Sequence, residues 1–315
     1  MMKINFNLYW RKFGTFVILI VIVSLFGMLS PKYFFSTDNL IAIALQSMIV
    51  LLVSLGEFFA ILNAGIDLSV GSVVAVTGMI TAKLLVSGFP VIPAMLIGGI
   101  GVGMVLGAIN GSLVYSTKLH PFIITLGTMS IYRGFTLVIS NAHPVYGFPQ
   151  FFKAIVVGSL WKIPNPVIIA AVVTGILVFI TNKTKFGRNL YALGGNKEAA
   201  WFAGISIKFH TIMTFIISGI TSGIAGVVLI ARLGAAEPLG GSGLELFAIA
   251  SVIIGGASFF GGVGKISGVV IGSLVLGVIN NGLNILNIPT FYQQIVLGSL
   301  IIIAVTLDRT FSAKR

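Results

Sequence analysis

Residues 41–62 read IAIALQSMIVLLVSLGEFFAIL, an aliphatic and aromatic run broken only by Gln46, Ser47, Ser54, Gly56 and Glu57. A helix needs about 20 apolar residues to cross the hydrocarbon core of a bilayer, and this run supplies them. Strands of a membrane barrel would alternate apolar and polar residues, which this stretch does not do. The run therefore reads as a membrane-spanning helix. Phe16–Leu29 is a second such stretch, and the rest of the chain shares its character. Of 315 residues 57% are hydrophobic and 8% charged, and the mean hydropathy is +1.10. Soluble domains carry about 25% charged residues, so a chain this apolar cannot cover a water-facing surface and has lipid as its main solvent.

The absence of cysteine excludes disulfides, thiolate metal sites and a cysteine nucleophile. The 19 basic residues outnumber the 7 acidic ones. They cluster in short segments between apolar runs, which is the positive-inside pattern and not a nucleic-acid surface. Lys3, Arg11 and Lys12 ahead of an apolar stretch resemble a secretory signal, but further spans follow, so an uncleaved first helix is expected.

The pattern predicts an all-α polytopic membrane protein, residues 1–315 forming one domain of about ten helices: 14–30, 40–63, 69–87, 91–115, 121–140, 166–182, 209–231, 244–260, 266–287 and 291–307. With both termini in the cytoplasm, Lys118, Lys183, Lys185, Arg188, Lys197, Lys208 and Lys265 fall inside, with Lys3, Arg11, Lys12, Arg309, Lys314 and Arg315. Lys32, Lys153, Lys162 and Arg232 fall outside. The loop 141–166 is then external and aromatic. The basic segment 183–208 is the largest cytoplasmic feature and the natural dock for a soluble partner.

Gly65-Ile66-Asp67-Leu68, followed by Gly71, recurs as Gly243-Leu244-Glu245-Leu246, and Gly107-Ala108-Ile109-Asn110 as Gly277-Val278-Ile279-Asn280. The topology puts the Asp67 loop inside and the Glu245 loop outside, so halves of about 40–140 and 209–307 form an inverted-topology repeat. Chance matching of glycine-rich helices is the alternative.

Gly99, Gly103, Gly107 and Gly111 form a smooth stripe for close helix packing, within one subunit or at a dimer seam. Gly261-Gly262-Val263-Gly264-Lys265 suggests a phosphate loop but fails the pattern, with Phe259 where a glycine is needed and Ile266 where Ser or Thr should stand. ATP hydrolysis by this chain is not expected. His120, His143 and His210 are scattered, so no metal or other cofactor is expected, and no catalytic constellation marks an enzyme. Glu57 and Arg133 lie inside apolar runs, where a charge must face protein or water. They read as buried structural groups, with an ion relay as the alternative. Asn110, Asn280, Asn281 and Asn284 are neutral amides at membrane depth. They are candidates for a translocation path suited to a polyhydroxyl solute, or equally for glue between helices.

Three stretches carry a resemblance: 63–72 (NAGIDLSVGS), 186–196 (FGRNLYALGGN) and 280–284 (NNGLN). From about Pro31 to Asp308 the chain resembles the ribose-type permeases of bacterial ABC sugar importers, within the wider family that includes branched-chain amino acid permeases. The resemblance implies import of a monosaccharide, ribose or a similar sugar, across the inner membrane by alternating access. It also implies a second permease copy (identical or a close paralogue), an ABC ATPase subunit and a sugar-binding protein as partners. Another small polar solute, or an ion-coupled secondary transporter, remains the alternative. Glu57 departs from the family, where an uncharged residue is expected. The resemblance further implies a coupling helix within 196–204 that enters a cleft of the ATPase. Gly194 and Gly195 would reverse the chain, Asn196 would cap the helix and Glu198 suits its first turn. Ala199, Ala200 and Ala203 would form a small-residue insertion face, and Gly204 would stop the helix.

Overall fold

The computed structural model describes residues 6–312, with side chains from 14 to 306. The basic side chains of both termini lie outside that range. In chain order the helices are α1 (Phe6–Leu29), α2 (Pro31–Phe34), α3 (Thr37–Leu62), α4 (Val70–Val86), α5 (Val91–Thr117), α6 (Pro121–Ser140), α7 (Gln150–Val157), α8 (Asn165–Lys183), α9 (Lys185–Gly195), α10 (Lys197–Phe202), α11 (Ile207–Leu233), α12 (Leu244–Ile254), α13 (Ile266–Ile285) and α14 (Thr290–Ser312). Two-residue strands pair antiparallel outside them: β1 (Val145–Tyr146) with β4 (Ala235–Ala236), and β2 (Ser159–Leu160) with β3 (Ile163–Pro164). The chain is an all-α polytopic membrane protein. Among the described residues α3, α5, α6, α8, α11 and α13 are long and apolar enough to span alone, and four further apolar helices are shorter.

Local chemistry sets the ends. The Ser36 hydroxyl accepts the Asn39 N–H at 3.4 Å and starts α3. His120 caps α6 at the Phe122 N–H, with Pro121 in the first turn. The eighth predicted helix, 244–260, is corrected to Leu244–Ile254. Gly255 follows it and Gly256 adopts φ +86°, a conformation that stops the helix, and 257–265 continues without regular structure.

The core forms around α3, whose residues from Ser47 to Leu62 are all buried, against α11, α12 and α13. The glycine stripe packs inside the subunit. Gly99, Gly103, Gly107 and Gly111 of α5 press on the backbone of α11 at Gly223, Gly219, Phe215 and Ile212. A Cβ on Gly103 would overlap the Gly219 carbonyl oxygen, so these helices approach as closely as backbones allow. Near its start α5 contains a π turn, Leu96–Gly101, and there Gly98 meets Thr81 of α4.

Two helices begin inside the span. The chain leaves α3 at Leu62 and starts α4 at Val70; it leaves α11 at Leu233 and starts α12 at Leu244. The expectation that the Asp67 loop lies at the inner surface and the Glu245 loop at the outer one is corrected. The first turn of α4 and the first turn of α12 meet, the Glu245 carboxylate lying against Gly71. Ser218, eleven residues beyond the start of α11 and hence about 16 Å along it, donates to Asp67, which places the meeting point deep in the bundle. An interruption of an apolar run looks like a surface loop in sequence. Here both interruptions fold back into the protein, where polar groups replace water.

Candidate functional site

The re-entrant segment 63–69 is held by a buried polar network. Asp67 accepts from the Ser69 N–H at 3.0 Å, from the Ser69 hydroxyl at 2.6 Å and from the Ser218 hydroxyl at 2.8 Å. Its own N–H donates to Glu57 Oε1 at 3.1 Å. The Asn110 amide donates to Ser69 Oγ at 2.7 Å and accepts from the Tyr132 hydroxyl at 3.0 Å. Thr125 Oγ1 accepts the Leu68 N–H and donates to the Ile66 carbonyl. Glu57, Asp67, Ser69 and Asn110 are fully or almost fully buried. The network satisfies backbone groups that an irregular segment inside a membrane would otherwise leave unpaired. Gly65 makes the preceding turn, its N–H reaching the Ala60 carbonyl at 2.9 Å. Asn110 therefore lies in a closed polar network around Ser69.

The opposite half-helix is held differently. Gly241 and Gly243 adopt φ +74° and +87°, and Glu245 folds back so that Oε1 accepts the Gly243 N–H at 3.1 Å. Glu245 Oε2 is buried without a hydrogen-bond partner. Arg133, on α6, donates to the Gly240 carbonyl at 2.8 Å, five residues before Glu245.

Asn280, Asn281 and Asn284 form a separate cluster on α13. Asn280 accepts from Gln46 of α3 and from Asn284, the latter at 3.2 Å, and Gln293 of α14 donates to Asn284 at 2.8 Å. Asn281 faces another way and donates to Asn39 at 2.8 Å. These amides bond mostly to one another across α3, α13 and α14, and the void beside them is only about 10 Å³. The structure does not bring them together with Asn110.

Outside the long helices α9 and α10 form an arm. The Asn196 side chain accepts the Ala199 N–H at 2.9 Å and caps α10, with Glu198 in the first turn. Gly204, at φ +77°, ends it, and the Ile205 N–H returns to the Ala200 carbonyl at 3.0 Å. Two expectations are corrected. Gly194 and Gly195 do not reverse the chain; they form the last turn of α9, and Asn196, extended at φ −156°, makes the corner. Gly194 is needed for close approach, because a Cβ there would overlap the Leu62 carbonyl oxygen and crowd Gly262. Ala200 does not face outward: it is buried, whereas Glu198, Ala199 and Ala203 are exposed.

Sequence reading passed over the most exposed apolar pair on this arm. Trp201 is 61% and Phe202 80% exposed, with ring centroids 5.0 Å apart. Two large aromatics directly after the Ala199-Ala200 pair were the available signal. The arm is pinned to the body by the Tyr191 hydroxyl, which donates to the Gly264 carbonyl at 2.9 Å and whose pKa is raised by burial. The Gly262 N–H donates to the Leu62 carbonyl at 3.0 Å.

A family described as branched-chain amino acid transport system / permease component matches residues 39–305. This chain belongs to that family. The D-allose transport system permease protein of Escherichia coli (strain K12) is 58% identical over 98% of this chain and 94% of its own length. The ribose import permease protein of Bacillus subtilis (strain 168) is 41% identical over 99% of this chain and 97% of its own. The xylose transport system permease protein of Haemophilus influenzae (strain ATCC 51907 / DSM 11121 / KW20 / Rd) is 32% identical, covering 93% and 95%. No solved structure matches.

Proposed function

We propose that this chain is the membrane-spanning permease subunit of an ATP-binding-cassette importer that carries a monosaccharide, D-allose, ribose or a close relative, into the bacterial cytoplasm. The observation that carries this reading is the 58% identity, over 98% of the chain, to a D-allose permease. The permease performs no covalent chemistry, and ATP is hydrolysed by a separate subunit. A sugar-binding protein delivers the solute at the outer face. A second permease copy completes the path, and both termini lie in the cytoplasm of the inner-membrane complex. The two half-helices meeting at Gly71 and Glu245 support an inverted-topology repeat, with alternating access as the tilting of its halves. The arm 183–208 supports coupling: α10 projects Trp201 and Phe202 toward the partner, and Gly194 and Tyr191 tie the arm to the body. Whether any of the amides Asn280, Asn281 and Asn284 contacts the sugar belongs to this reading as well.

The test is reconstitution of the complex in proteoliposomes with its ATPase and binding protein. ATP-dependent uptake of radiolabelled D-allose or ribose is expected, with ATPase activity stimulated by sugar-loaded binding protein. Uptake driven by an ion gradient without the ATPase would overturn the reading.

A further inference from the structure

Arg133 is twelve residues beyond the start of α6, about 18 Å along that helix, and it is only half-buried. A guanidinium at such depth is too costly to leave facing lipid, so its open side must meet water, solute or protein. Its surroundings match that requirement. Gly127 and Gly134 have no atom within 4 Å of where a Cβ would be, and Ser130 is exposed, so a strip of small residues runs along α6 to one side of Arg133, with Leu126 and Leu137 between. Further round, Ile131, Phe135 and Val138 are 64%, 49% and 73% exposed and form a bulky apolar edge suited to lipid. Across from Arg133 are the re-entrant residues Gly240 to Glu245, with Ser242 exposed and Glu245 Oε2 buried against Gly71 without a hydrogen-bond partner until the two half-helices part. Arg133 uses one of its five N–H donors on the Gly240 carbonyl.

We infer that Arg133 and Glu245, with Ser130 and Ser242 beside them, form a mid-span contact site for the hydroxyl groups of the passing sugar. The inference rests on the import reading above. A guanidinium fork donates to adjacent hydroxyls and a carboxylate accepts from them, so the pair grips a neutral polyol through directional bonds while its own charges balance. The site is placed where the two half-helices meet, so a movement that parts them changes the grip on the solute.

The cysteine-free chain makes the test direct. Ser130→Cys and, separately, Phe135→Cys are assembled with the ATPase and binding protein in nanodiscs. Each is treated with a water-soluble sulfonate methanethiosulfonate in the apo, ATP-bound and vanadate-trapped states. Ser130→Cys is expected to react at least tenfold faster than Phe135→Cys in one or more states, and millimolar D-allose or ribose is expected to slow that reaction. In proteoliposomes, Arg133→Gln and Glu245→Gln are expected to cut sugar moved per ATP hydrolysed by tenfold or more, with Arg133→Lys retaining part. A residue that merely pins Gly240 would produce no protection by sugar. Failure of Ser130→Cys to react in every state, or reaction that sugar does not slow, overturns the site, and so does unchanged sugar per ATP in Arg133→Gln. Should Arg133→Gln not assemble, the cysteine result decides alone. Wild-type uptake separates the two claims: a wild type that imports sugar while the cysteine test fails removes this site only, and a wild type that imports none removes the import reading.

Discussion

Gly71 of α4 and Glu245 of α12 lie against each other although one follows the first span-length helix and the other the fifth. A Cβ on Gly71 would overlap the Glu245 carboxylate and come 2.5 Å from the Gly241 carbonyl oxygen. The carboxylate lies by the first turns of two helices and complements the positive ends of both. Gly71→Ala is therefore expected to destabilise the protein by about 1–3 kcal/mol, the usual cost of overpacking. Thermal unfolding in detergent, read by size-exclusion chromatography, checks this; an unchanged midpoint would show that the half-helices have slack.

The stripe on α5 gives a second contrast. Gly103→Leu forces a side chain into the Gly219 backbone and is expected to abolish most of the folded yield. Gly175→Ala on α8, where no atom is within 4 Å, is expected to be neutral or to stabilise by about 0.5–1 kcal/mol through reduced chain entropy. Equal yields of the two variants would remove the packing role.

Topology is checked by single cysteines. Ser159 lies in the β2–β3 hairpin, and Ser206 caps α11 by accepting the Phe209 N–H at 3.3 Å. An impermeant maleimide applied to intact spheroplasts is expected to label Ser159→Cys and to leave Ser206→Cys unlabelled. Labelling confined to 206 would invert the orientation.

Coupling is checked at the aromatic pair. Trp201→Ala with Phe202→Ala removes exposed rings and no core contact, so folding is expected to persist while co-purification of the ATPase and sugar uptake fall at least tenfold. Ala200→Arg tests something else. Ala200 is 4% exposed, so the arginine is expected to displace α10 from the permease itself and lower thermal stability. Full ATPase binding by the double alanine variant would rule out the aromatic contact.

Much of this fold was legible because lipid imposes a simple rule: long apolar runs become helices, and basic residues mark the ends. The cap at Asn196 and the stop at Gly204 were legible too, since each depends on one residue's local chemistry. The depth of Asp67 was not. A short polar break in an apolar run has the same sequence signature whether it reaches water or turns back into protein, and only distant partners such as Ser218 and Asn110 decide between them. The inward face of Ala200 was missed for a similar reason, because the helix it belongs to is too short for apolar periodicity to fix its rotation. Asn110 was grouped with Asn280 on a shared local motif, yet one closes a network around Ser69 and the other joins the amides of Gln46 and Gln293.

The junction at Gly194 and Gly262 has a mechanical consequence. The arm touches the body at Leu62, the last residue of α3, and along 261–264, in the turn that joins α12 to α13. On the coupling reading proposed above, a push on the arm is delivered to this turn and through 255–260 to the end of α12, whose 11 residues make a rod about 16 Å long. Pivoting such a rod by about 10° about that end swings its tip by about 3 Å. The tip carries Glu245, and a stroke of that size is enough to lift the carboxylate clear of Gly71. On that reading the glycine junction is the fulcrum of a lever whose load is the contact at mid-span.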